Sequence, residues 1–129
     1  MDYHWIRQQE FRAIGDDKMK QLLFDAILKV IKYIQSNNYI ELEKMQCLEK
    51  ISEECISNTL KDYGGKLDVV NEQEYMKYFQ YIRLKDQNKY MTYLDMIIDG
   101  ERSDLTLICE IELEDNRVQK IIIDDLHVL

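Results

Sequence analysis

The apolar pattern of this chain changes period at Gly64-Gly65, and that change limits the fold more than any other feature. Before it, Met19, Leu22, Leu23, Ala26, Ile27, Val30, Ile31 and Ile34 recur at i, i+3, i+4, i+7 spacing, with Phe24, Leu28 and Tyr33 widening the stripe. That spacing predicts a long helix with a broad buried face. Asp16 or Asp17 can cap its start, and Ser36-Asn37-Asn38 ends it. A shorter helix is expected over Ile40 to Cys47. A third is expected after Ser52, which reads as its cap, with Glu53 and Glu54 near its positive end. Ile51 and Ile56 stand where a hydrophobic staple would place them. Gly64-Gly65 stops this helix, because glycine accepts the left-handed turn that helix ends favour.

After Gly65 the period is two. Leu67–Val70 reads as a brief extended piece and Glu72–Met76 as a loop or helical turn. Strands are expected at about 77–84, 90–98, 104–114 and 117–124. Asp86-Gln87-Asn88, Asp99-Gly100-Glu101 and Glu114-Asp115-Asn116 read as turns, the last two between adjacent antiparallel strands. The expected fold is α+β: N-terminal helices packed on one face of a four-stranded antiparallel β-meander. Residues 1–129 form one domain, with a leader over 1–15, a helical part over 16–64 and a sheet part over 65–129.

Charge is the second constraint. Residues 95–125 hold ten acids and three bases, a net −7 out of −8 for the whole chain. This excess lies in strand sequence, where Glu is disfavoured and like charges on one face repel. On the third strand Leu105, Leu107, Cys109, Ile111 and Leu113 share one face. Asp104, Thr106, Ile108, Glu110, Glu112 and Glu114 share the other. On the fourth, Val118, Lys120, Ile122 and Asp124 share a face, as do Ile121 and Ile123. The Glu row then points away from the helices. Two readings stay open: a solvated face partly neutralised by Lys120 and Arg117, or an acidic docking surface. In the second, Asp104, Glu110, Glu112, Glu114, Asp115 and Asp124 meet a partner. Ile108 is then an apolar anchor, or else is covered by the leader.

Other chemistries find little support. The acidic balance disfavours nucleic acid and anionic membranes as partners and leaves a basic protein open. Cys47, Cys55 and Cys109 read as reduced core thiols, and with His4 and His127 alone there is no basis for a metal site. No residue pattern points to a cofactor or a phosphate loop. An enzyme reading would pair His127 with Asp104 or Asp95, on residue type alone. Tyr75, Tyr78, Tyr81, Tyr90 and Tyr93 read as the edge of the core, with interface anchors as the alternative. Without a membrane-length apolar run or a basic, apolar N-terminal start, the expected compartment is the cytoplasm.

Gly100-Glu101-Arg102-Ser103-Asp104-Leu105-Thr106-Leu107, followed by Ile123-Asp124-Asp125-Leu126-His127-Val128-Leu129, resembles a bacterial domain family with no assigned function. In that family a similar strand leads to a terminal I-D-D-L-H-V-L. Ile51-Ser52-Glu53-Glu54 and Asp62-Tyr63-Gly64 look like its helix and helix-ending turn. The likeness covers roughly residues 40–129. Small acidic α+β chains of this kind also resemble immunity proteins of bacterial contact-dependent inhibition and related polymorphic toxin systems. That resemblance implies binding and neutralising a cognate toxin, commonly a nuclease domain, and no catalytic residues. The rival functions are a small enzyme or ligand-binding domain with a cavity between sheet and helices, and a housekeeping domain.

Overall fold

The computed structural model describes residues 17–69, 71–84 and 88–129. The leader over 1–15, the Asp16 cap and the Asp86-Gln87 part of the expected turn lie outside the described residues.

The long amphipathic stripe forms helix α1, Asp17–Gln35, which buries Leu23, Phe24, Ala26, Ile27, Leu28, Val30, Ile31 and Ile34. Asn37 takes a positive φ of 56° and turns the chain into α2, Tyr39–Lys44. Helix α3 is Glu53–Tyr63. Its Ser52 cap accepts the Cys55 N–H at 3.1 Å, satisfying one orphan donor of the first turn. Ile51 and Ile56 are both buried, as a staple requires. Gly64 ends α3 at φ 85°.

The sheet is antiparallel throughout. Strands β2 (Phe79–Arg83), β3 (Lys89–Ile98), β4 (Glu101–Glu114) and β5 (Arg117–Val128) form the expected meander. A fifth, two-residue strand β1, Leu67–Asp68, pairs with Ile97 and Ile98 of β3. Because β4 takes one edge of β3, β1 and β2 share the other end to end. Helix α4, Glu72–Lys77, carries the chain from one to the other, so the helices are not confined to the N-terminal side of the sheet. Tyr75 of α4, fully buried, closes the gap between them: its hydroxyl donates to the Asp68 carbonyl and accepts the Ile97 N–H. Gly65 is required where this edge meets the β3–β4 hairpin. Its φ is 81°, and a Cβ there would sit 2.5 Å from Ile98 Cγ2.

Two-residue turns join the last strands. Asp99-Gly100 has φ of 53° and 78°, and Asp115-Asn116 has φ of 52° and 59°. Positive φ at both central residues is the type I′ pattern, whose twist suits the flanking strands. The core joins α1 to the sheet face carrying Leu94, Leu105, Leu107, Cys109, Ile111, Ile123 and Leu126. The Tyr group belongs to the structure in the same way: Tyr75, Tyr90 and Tyr93 are buried and Tyr78 and Tyr81 pack against the core. Cys55 departs from the expected core thiols. Cys47 and Cys109 are buried, but Cys55 is exposed, because Ile56 is the one residue that α3 buries among the described residues.

Three irregularities set which side chains reach which face. Asp95 pairs with Thr106 but Ile97 pairs with Arg102, so β4 carries extra residues opposite Met96. On β5, Gln119 is extra between the Leu113–Val118 and Glu112–Lys120 pairs. Asp124 is extra between the Cys109–Ile123 and Ile108–Asp125 pairs. Each one-residue bulge of β5 shifts the alternation by one, whereas the two extra residues of β4 disturb it only locally. The expected single face of Val118, Lys120, Ile122 and Asp124 is therefore corrected. Val118 packs with the core, while Lys120 and Ile122 stand opposite Glu112 and Glu110 on the far face.

Candidate functional site

Glu110, Glu112 and Glu114 follow the pleat of β4 and point away from α1, as their alternation with Cys109, Ile111 and Leu113 demands. Glu110 and Glu112 are half-buried, and Glu114 and Asp115 are exposed at the hairpin end. Cross-strand neighbours moderate the row. Glu112 lies between Lys89 of β3 and Lys120 of β5, and Glu114 is opposite Arg117. Opposite charges in directly facing positions offset the repulsion within the row. Lys120 is also claimed by Glu49, at 3.0 Å. Glu110 faces apolar Met91 and Ile122, so cross-strand bases do not flank it.

Asp104 and Asp124 do not join that row. The β4 irregularity turns Asp104 toward the end of α3, where Tyr63 Oη donates to its Oδ1 at 2.7 Å. The bond to the carboxylate raises the Tyr63 pKa. Asp124, in the β5 bulge, meets Lys50 Nζ at 3.2 Å. Asp125, which the expected site omitted, comes instead to the far face, opposite Ile108. The alternation rule alone points to Asp124, and a bulge leaves no reliable mark in sequence.

Ile108 is fully buried on the far face, packed with Tyr93 and with Ile82, Met91 and Leu129 around them. Burial pushes the Tyr93 hydroxyl to a pKa of about 12, with the Asp124 charge adding to it. Next to this cluster is a polar one. Asp95 is 5% exposed. Its Oδ2 accepts Arg102 Nε at 2.9 Å and Nη2 at 2.7 Å, and its Oδ1 accepts Thr106 Oγ1 at 2.6 Å. The Arg102 guanidinium stacks over Tyr78, 4.7 Å from the ring centre. The depression here, lined in part by Lys77, Tyr93 and Asp95, has a volume of about 30 Å³. That is room for a water molecule and not for a substrate. Of the acids weighed as partners for His127, Asp95 is held by Arg102 and Thr106, and Asp104 by Tyr63; His127 itself is exposed, opposite Thr106.

Among the described residues, no group of three or more His, Cys, Asp or Glu side chains is arranged to hold a metal ion. No helix among them is long and apolar enough to cross a membrane.

Helices on one face of an antiparallel sheet, with an acid-bearing far face, define a small α+β domain. The chain belongs to the family described as Domain of unknown function (DUF7668), whose model matches residues 31–129. The match takes in all of the sheet, α2 to α4 and the last turn of α1. No curated protein and no solved structure matches the chain.

Proposed function

We propose that this chain is an immunity protein, which binds a cognate toxin domain, a basic nuclease, and neutralises it stoichiometrically in the cytoplasm. The observation that carries this reading is the row Glu110, Glu112 and Glu114, which runs along the sheet face turned from the helices and continues into Asp115. A nuclease holds its nucleic acid on a basic surface, and a rigid row of carboxylates on a β-strand is complementary to it. Complementary potentials speed encounter, and the few groups desolvated in contact set the dissociation rate. Glu110 and Asp115 are the acids assigned to first contact, since Glu112 faces two lysines and Glu114 faces Arg117. Inhibition by surface occlusion requires no catalytic group on this chain. The test is growth rescue. Cells expressing a toxic nuclease domain encoded beside this chain's gene should survive when the chain is coexpressed, and the two should copurify. Death despite soluble expression of the chain, with no copurification, would reject the reading.

A further inference from the structure

A second surface lies on the flank of the molecule, between α1 and the far edge of β5. The groove there has a volume of about 430 Å³. Its floor is apolar: Ala26 and Ile121 are buried, and Met45 and Val118 are partly so. Lys29 and Lys120 stand at its rim, with Asp25, whose Oδ1 accepts Gln21 Nε2 at 2.7 Å.

The backbone adds a third element. Strand β5 pairs with β4 through one edge only. On its other edge the Ile123 N–H donates to the Cys47 carbonyl at 2.9 Å. Pairing is regular from Ile121 to Ile123, so the N–H and C=O of Ile121 face outward too, toward the groove. Among the described residues, no backbone group pairs with this edge before Ile123. The chain itself shows what the edge accepts. From Cys47 to Lys50 it runs beside β5, and Glu49 places its carboxylate 3.0 Å from Lys120 Nζ. The groove lies on the other side of the Cys47–Ile123 bond, where Met45 and residues 118–121 line it.

We propose that this groove binds an extended segment of a partner protein, alternating apolar and acidic residues, which adds as a strand to the open edge of β5. Ladder bonds to Ile121 supply affinity, and alternate side chains supply specificity. The apolar side chains face Ala26, Met45, Val118 and Ile121. The carboxylates face Lys29 and Lys120, as that of Glu49 already does. The negative charge of the chain as a whole opposes such a ligand, but it is screened over about 8–10 Å at physiological salt, whereas the rim lysines act at contact. This surface meets the Glu110–Glu114 row only at Lys120, opposite Glu112, and does not rest on the immunity reading.

The experiment titrates the ¹⁵N-labelled full chain with a capped hexapeptide alternating Glu and Val, and with its counterpart alternating Lys and Val. The Glu peptide should shift the amides of residues 118–121 and 26–29. Lys29→Glu, at an exposed position, should weaken its binding about fivefold or more, because reversal turns an attraction into a repulsion. Glu101→Gln, exposed at the β3–β4 hairpin and away from the groove, should leave it unchanged. Absence of shifts at 118–121, or equal binding of the Lys peptide there, would overturn the proposal. So would a change in the sedimenting mass of the peptide-free protein on Lys29→Glu, which would make a second copy of the chain the occupant.

Discussion

Replacing Ile108 with Ala separates a structural role on the far face from a binding one. The residue sits at the middle of β4, opposite Tyr93 on one side and Asp125 on the other, with none of its surface exposed. The substitution removes three carbons. At about 0.8 kcal/mol for each buried methylene, the transfer cost alone is about 2.4 kcal/mol. The cavity left between the Tyr93 ring, Met91 and Ile82 adds to it, for a total loss of about 2–5 kcal/mol. Set against a stability of about 5–15 kcal/mol for a domain of this kind, that is a large fraction. Urea unfolding measures it, as a fall in the midpoint with an unchanged slope. Leu107→Ala, on the same strand but packed between Leu94 and Leu126 on the helix side, is the reference and should fall in the same range. A loss below about 0.5 kcal/mol for Ile108→Ala, beside a full loss for Leu107→Ala, would refute the burial argument. Ile108 would then be the exposed anchor that alternation permits.

Three further outcomes follow from the geometry. Of the three thiols, only Cys55 should react rapidly with a disulfide reagent at pH 8. Burial pushes Cys47 to about 11 and Cys109 well above its ordinary range; a fast second equivalent in the native protein would contradict this, and Cys55→Ser should abolish the fast phase. Gly65→Ala should destabilise more than Gly64→Ala in thermal melts, because both need positive φ but only Gly65 has Ile98 Cγ2 within 2.5 Å of the added carbon; equal losses would refute the close approach. Stability should fall as pH rises from about 9 to about 12. Cys47 and Tyr75, raised by burial to about 11 and about 12, lose protons more readily unfolded, so the unfolded state gains with pH; a urea midpoint that held or rose between pH 9 and 11 would refute it.

The sequence was most legible where local chemistry and period agree. The stripe from Leu23 to Ile34, the Ser52 cap and the glycine stop at Gly64 all act within a few residues of chain, and each stands as read. Asp99-Gly100 and Asp115-Asn116 were legible because those residues tolerate positive φ. Alternation placed the Glu110, Glu112 and Glu114 row correctly on β4 for as long as the register ran unbroken. It failed at Val118 and Asp124, where one-residue bulges reverse the faces, and at Asp104, inside the irregularity of β4, and a bulge costs too little to leave a reliable composition signal. The sharing of one β3 edge by β1 and β2 depends on a long-range contact, the buried Tyr75 hydroxyl, that no local pattern encodes. Exposure of Cys55 has a similar source: α3 turns Ile56 and, in part, Leu60 inward, and Cys55 beside Ile56 faces out.

The central claim, that the acidic row steers a basic partner, is tested most directly by association kinetics. The parent chain and the triple variant Glu110→Gln, Glu112→Gln, Glu114→Gln are mixed with the cognate nuclease domain by stopped flow over a range of salt. The account predicts a slower on-rate for the variant at low salt and a flatter dependence on ionic strength, with the fold intact. The two proteins should converge as salt screens the row. Identical on-rates at low and at high salt would contradict the claim and leave the row an ordinary solvated face.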